Sequence, residues 1–177
     1  LVINNISINS KLIKKDDVFF AIKGKKLDGN RYIGEALKKR SSLVIVNRIN
    51  KDYPALKQIK VKNTLSFLTK CSSIFRENIN TKIISITGSC GKTTLKEMIG
   101  HSLKKISKTT YSPKSFNNKY GVPLSLFNLK HNDDFGVLEV GMDKKGEIDN
   151  LTKIIKPDLG IITNISYAHS KNFKSIK

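Results

Sequence analysis

The chain has 177 residues, 38% of them hydrophobic, which is enough for one ordinary domain or two small ones with real cores. No apolar run approaches the roughly 20 residues needed to span a bilayer, so no membrane anchor is visible. The net charge of +19 points to an anionic partner, but the lysines are spread along the whole chain beside Ile and Asn rather than gathered into one arm, and no helix-turn-helix or aromatic-rich RNA pattern appears; solvated lysine faces are favoured over a nucleic-acid groove.

In chain order, Val18 to Lys23 predicts a short strand and Asp28-Gly29-Asn30 a turn. A helix from about Arg31 to Arg40 would place Ile33, Ala36 and Leu37 on one face, ahead of the buried-strand pattern Leu43 to Val46. Ala55 to Val61 adds a further strand. Asn63 or Thr64 can cap a helix carrying Leu65, Leu68, Cys71, Ser72 and Phe75, and the polar stretch Glu77 to Thr81 reads as a linker. The character then changes. Strand Lys82 to Thr87, a Gly-rich turn, a helix from Lys92 to about Ile106, strand Phe135 to Val140, a helix near Glu147 to Ile155 and strand Leu159 to Ile165 alternate as β and α, which predicts a parallel sheet covered by helices. The expected fold class is therefore α/β, with a small N-terminal unit over residues 1–79 and a parallel-sheet domain with a phosphate loop over residues 80–177.

Two cysteines, one in a helical pattern and one in a turn, make no disulfide framework, so a reducing cytoplasm is the expected setting. The chain opens on Leu1 and stops at Lys177 just after a strand-like segment; both ends are expected to be cut from something longer, and the lack of a signal peptide carries no weight. Nothing in the sequence sets the oligomeric state, and a monomer is the default.

The strongest chemical signal is Thr87-Gly88-Ser89-Cys90-Gly91-Lys92-Thr93-Thr94, between an apolar strand and an amphipathic helix. Backbone amides of Gly88, Ser89, Cys90, Gly91, Lys92, Thr93 and Thr94 can surround phosphate oxygens, with the helix dipole adding attraction. Lys92 can reach the β- and γ-phosphates, and the Thr93 hydroxyl is placed for the Mg²⁺ that bridges them. The spacing is shorter than the common G-x-x-x-x-G-K-[ST], because the first glycine stands three before Gly91 rather than five. The bland alternative is a Gly-rich turn with a chance Lys-Thr, but a flanking strand and helix are both present. Cys90 has no evident base partner and reads as filling space rather than as a nucleophile.

This shortened loop resembles the phosphate loop of the Mur ligase family, of which folylpolyglutamate synthetase is a relative. Three further segments are similar to the family's D-alanyl-D-alanine-adding branch in order and spacing: Phe116-Asn117-Asn118-Lys119-Tyr120-Gly121-Val122-Pro123-Leu124; Leu138-Glu139-Val140-Gly141-Met142 with Gly146-Glu147-Ile148; and Lys156-Pro157-Asp158 through Thr163-Asn164-Ile165 to His169. Asp17 to Gly24 followed by Asp28-Gly29 resembles the uridine-diphosphate-binding domain of two of the family's branches. The family's Asp-Ser-Arg near the start of that domain stands here as Asn9-Ser10-Lys11.

The resemblance implies an ATP-dependent amide ligase. ATP phosphorylates the carboxylate of UDP-N-acetylmuramoyl-tripeptide to an acyl phosphate, which the amine of D-alanyl-D-alanine attacks. It also implies Lys92, Glu139 and His169 as catalytic residues, with Thr93, Glu139 and His169 as ligands of Mg²⁺. Ser10, Asp28, Gly29, Asn117 and Asn118 are implied as contacts to the nucleotide-sugar peptide. Each has a plainer reading: His169 as a loop residue after a strand, Asn117 and Asn118 as an Asn-rich turn, Asp28-Gly29 as a turn, and Glu147 and Asp149 as helix-start acids. His101 and His131 have no identifiable partners. Such ligases have three domains, and the chain covers the first and about half of the second, with the family's carbamoylated lysine falling shortly after Lys177; the piece alone is expected to be inactive. The rival readings are a MurE-like or folylpolyglutamate-synthetase-like ligase, against which the Glu139-to-Ile148 segment argues, and a nucleotide-binding homologue that has lost amide synthesis.

Overall fold

Apolar runs of two to six residues, separated by lysine-rich turns, become short parallel strands. The computed structural model of the protein describes residues 3–24 and 27–166, which divide into two units, Leu1–Cys71 and Ser72–Lys177. Among them no helix is long and apolar enough to cross a membrane.

The first unit is a four-stranded parallel sheet, β1 (Ile6–Ser7), β2 (Val18–Phe20), β3 (Leu43–Val46) and β4 (Gln58–Lys60), in that spatial order. Helix α1 (Ile33–Lys38) connects β2 to β3. Phe19, Val44 and Val46 from the strands and Ala21 just beyond β2 meet Ile13, Ile33 and Ala36 in one core. All three residues of β2 are buried, the sign of a strand covered on both faces. β2 ends earlier than Lys23 because the chain doubles back there: Gly29 N–H donates to Ile22 O at 2.9 Å and Lys23 bridges Asp28. The expected strand at Ala55 begins as a 3-10 turn, Ala55–Lys57, and only Gln58–Lys60 pairs with β3.

Helix α2 (Thr64–Glu77) starts as expected, with Asn63 Oδ1 accepting from Ser66 N–H at 2.9 Å, and runs across the division between the units. The expected linker is corrected: Ile79 and Thr81 are buried, and Ile79 joins the core of the second unit. One isoleucine among polar neighbours carries too little pattern to be read as core.

The second unit is built from β5 (Lys82–Thr87), α3 (Lys92–Lys104), β6 (Thr109–Tyr111), α4 (Gly121–Phe127), β7 (Phe135–Glu139), α5 (Glu147–Ile155) and β8 (Leu159–Ile162). The strands are parallel in the order β6-β7-β5-β8. Right-handed crossovers put α3 on one face and α4 and α5 on the other. Val122 and Leu126 of α4, Leu151 and Ile155 of α5, and Ile83, Leu138 and Val140 accordingly share one cluster, where each fully buried aliphatic side chain contributes about 1.5–3 kcal/mol. Side chains alternate along β7, so Val137 and Glu139 face the α3 side instead. The connections leaving β5 and β7 depart over opposite faces, and the crevice outside two such adjacent strand ends is where an open α/β sheet binds ligands.

Candidate functional site

Strand β5 delivers the chain to the loop at Thr87, and α3 begins after Gly91, whose φ of +79° is the left-handed conformation glycine adopts freely. Glycine has no side chain to cap α3, so the amides of its first turn keep their donors directed out of the helix end. Gly88, at φ +134°, packs so tightly that a Cβ would strike Thr163 Oγ1 and lie 3.0 Å from the Asn164 backbone. The segment leaving β8 fastens the loop. Thr163 Oγ1 donates to Cys90 O at 2.6 Å, Asn164 Oδ1 accepts from Cys90 N–H at 3.1 Å, Ser89 N–H donates to Asn164 O at 3.0 Å, and Ser166 N–H donates to Ser89 Oγ at 2.8 Å. The Lys92 ammonium rests on the loop, donating to Gly88 O at 2.6 Å. Cys90 does not fill space: its thiol is exposed and accepts from Asn164 Nδ2 at 2.9 Å. Thr94 is exposed.

Glu139 ends β7 on the α3 side and is only 1% exposed. Its Oε2 accepts from Thr93 Oγ1 at 2.7 Å and its Oε1 from Asn117 Nδ2 at 2.7 Å. Ser115 Oγ stands 3.4 Å from Thr93 Oγ1. The structure thus brings Lys92, Thr93, Asn117 and Glu139 together from three sequence segments, the start of α3, the loop before α4 and the end of β7. Thr93 and Glu139 offer a hydroxyl and a carboxylate oxygen side by side, the hard donors a small divalent cation takes; such a cation is held by one or two carboxylates and leaves its other positions to phosphate and water. The donor set fits Mg²⁺ on that ground. Among the described residues no three His, Cys, Asp or Glu side chains cluster into a fuller metal cage.

Beside this corner lies a cavity of about 560 Å³, with Lys92, Asn117, Lys119, Tyr120, Asp143 and Glu147 in its wall. Asn118 also lines it, and its Oδ1 accepts from Tyr120 and Gly121 N–H at 3.0 Å each, closing the turn into α4. A Cβ on Gly141 would come within 2.9 Å of the Asn117 amide group, so a side chain there would press on the residue that meets Glu139. Glu147 Oε2 accepts from Asp143 N–H at 2.7 Å, which with the neighbouring Lys144 amide holds its carboxyl below the usual range, and Asp149 pairs with Lys153 at 2.7 Å. Both acids therefore shape the start of α5. His101 Nδ1 lies 2.9 Å from Glu97 O and its ring tilts against Tyr111, while the His131 ring meets Phe75 edge-on. His169 lies outside the described residues.

In the first unit, Ser10 is buried and donates to Glu35 Oε2 at 2.6 Å. Asn9 Oδ1 accepts from Lys11 N–H at 3.0 Å, so the residue that departs from the family pattern still caps the 3-10 turn Ser10–Leu12. Asp28 caps the turn Gly29–Tyr32; its carboxyl is held below the ordinary range chiefly by the Asn30 side chain at 2.6 Å, then by the Asn30 amide. A Cβ on Gly29 would come within 2.7 Å of Ile22 N, so glycine is required there by the doubled chain itself. Ser10 and Asp28 both follow the C-terminal ends of parallel strands.

Residues 86–177 match the family model described as the Mur ligase middle domain, and residues 2–76 the one described as Mur ligase family, catalytic domain. A UDP-N-acetylmuramoyl-tripeptide–D-alanyl-D-alanine ligase of Buchnera aphidicola is 39% identical over 99% of this chain and 38% of its own length. Among solved structures, MurF from Acinetobacter baumannii superposes with a TM-score of 0.89 at 32% identity over 98% of this chain and 38% of that one. MurF ligase from Thermotoga maritima in complex with ADP gives 0.85 at 32% identity, over 98% and 40%. The chain spans about 38% of the length of the curated relatives it matches.

Proposed function

The chain belongs to the Mur ligase family, and from that membership we propose that it serves an ATP-dependent ligase that adds D-alanyl-D-alanine to UDP-N-acetylmuramoyl-tripeptide through an acyl phosphate. The observation that carries this reading is the 2.7 Å contact of Thr93 Oγ1 with the buried Glu139 carboxylate at the foot of the phosphate loop. The first unit is assigned to the UDP-muramoyl end of the substrate, with Ser10, Asp28 and Gly29 as contacts, and the second unit to ATP.

The reaction asks the protein mainly to position reactants and neutralise charge. Lys92 and the amides from Gly91 to Thr94 hold the phosphates and stabilise the transferring γ-phosphoryl group, the Ser89 and Cys90 amides being taken by Asn164. Thr93 and Glu139 would hold Mg²⁺, with His169 as a further ligand by resemblance; when bound, the ion supplies positive charge against the phosphate oxygens. Asn117 orients Glu139 and, with Asn118, presents amides to the muramoyl-peptide substrate from the cavity wall.

Phosphate release from ATP tests the reading. In the full-length protein it should require both UDP-N-acetylmuramoyl-tripeptide and D-alanyl-D-alanine; equal release without the dipeptide would exclude it as the amine substrate.

A further inference from the structure

Lys96 carries a charge into the interior of the second unit, where it is 0% exposed, and none of the roles above uses it. A buried ammonium is tolerated only when its donors are satisfied. Here all three have acceptors: Ser112 O at 2.7 Å, Lys114 O at 2.6 Å and Glu97 Oε1 at 2.9 Å. Two of them belong to one loop, the one that joins β6 to α4. Lys114, whose carbonyl Lys96 holds, has φ +49°, so the loop turns sharply at that point.

The same loop then supplies Ser115 to Thr93 and Asn117 to Glu139. On its other side, Ser112 Oγ accepts from Glu139 N–H at 3.3 Å. Lys96 stands three residues after Thr93 on α3, a spacing that puts both on one helix face. The contacts therefore close a ring from α3 through Lys96, Ser112, Glu139 and Thr93 back to α3, with Asn117 bound to it. We infer that Lys96 is a positioning residue: by fixing the Ser112 and Lys114 carbonyls it sets where Asn117 and Ser115 meet the Glu139–Thr93 pair. The assignment rests on the ligase reading for its effect on turnover, but not for its effect on the loop.

The test is Lys96→Met in the full-length protein, which fills the volume and removes the donors. Substitutions of groups that orient ligands cost about 10- to 100-fold, and that loss is expected in kcat. KM for ATP should stay nearly constant, because the phosphate loop is fastened separately by Thr163, Asn164 and Ser166. If Lys96 acts through Asn117, the double variant K96M/N117A is no slower than the slower single one; losses that multiply would overturn the assignment. Amide hydrogen exchange should speed up in residues 114–118 and remain unchanged in β5 and α3, whereas loss of protection across the whole unit would show a merely structural role. Lys96→Gln, which keeps two shorter-reaching donors, carries the same comparisons if the methionine variant does not fold. Failure of the unsubstituted full-length protein to release phosphate would sink the ligase reading, while the exchange comparison, needing no turnover, still decides the role of Lys96.

Discussion

Replacing Glu139 by glutamine changes one oxygen to an amide and keeps the shape of a side chain that is 1% exposed. The new carbonyl can still accept from Asn117 Nδ2, now at 2.7 Å, and the new amide can donate to Thr93 Oγ1, now the donor at 2.7 Å. A bond to a charged acceptor contributes about 1.5–3 kcal/mol and a neutral one about 0.5–1.5, so the two together weaken by about 2–3 kcal/mol. Removing a buried charge returns several kcal/mol of desolvation, which offsets that loss. The melting temperature should move by less than about 4 °C, the shift that one to two kcal/mol makes in a chain of this size. Binding of ATP in the presence of Mg²⁺ should weaken by about 10- to 100-fold, or about 1.4–2.7 kcal/mol, with little change when EDTA is present. Calorimetric titration under both conditions, beside thermal unfolding, reads the two effects separately. An equal loss with and without Mg²⁺, or a collapse of thermal stability, would refute the assignment of Glu139 as an ion ligand.

In the full-length protein Lys92→Ala should abolish ATP turnover with the fold intact by circular dichroism, because among the described residues this side chain donates to loop carbonyls; undiminished turnover would contradict its phosphate role. Gly88→Ala forces a Cβ against Thr163 Oγ1 at φ +134° and should cost about 1–3 kcal/mol of strain together with nucleotide affinity, so a variant that melts and binds like the parent would contradict the packing described. Asp158 is held below its ordinary range chiefly by the Ile83 amide at 2.8 Å, with Lys82 and Arg76 assisting. A depressed folded pKa adds stability that is present above the ordinary carboxylate value and lost as pH falls through the folded one. Urea midpoints should therefore fall as pH drops below about 4, and less steeply for Asp158→Asn than for the parent; equal slopes would rule out that contribution.

Elements with a strong local pattern were legible in the sequence. Lys82 to Thr87 and Leu43 to Val46 are apolar runs of strand length, and Gly146 and Pro157 bracket α5, so these boundaries match the structure closely. β6 and α4 were not legible. Thr109-Thr110-Tyr111 is three residues long, and α4 holds Gly121 and Pro123, both poor helix formers, so its helical state depends on burial of Val122 and Leu126 rather than on propensity. At the site, the loop glycines and Lys92 announce themselves by spacing. The Glu139–Thr93–Asn117 contacts depend on the β5–β7 register, which no local pattern encodes. Lys96 was invisible for a similar reason: one lysine among many in a +19 chain reads as solvated, and only the tertiary fold shows its ammonium bonded to two carbonyls of one loop.

The fastening of the phosphate loop also sets an order of events. Ser89 is held by Ser166, 77 residues later in the chain, and Cys90 by Asn164, 74 residues later. As the polypeptide leaves the ribosome, the loop and α3 emerge long before the segment that secures them. Contacts so distant in sequence close late, after the entropy of the intervening chain has been lost. The nucleotide loop is therefore among the first parts of its unit to be made and among the last to be finished, and the nascent chain acquires its phosphate-ready shape only when β8 has docked beside β5.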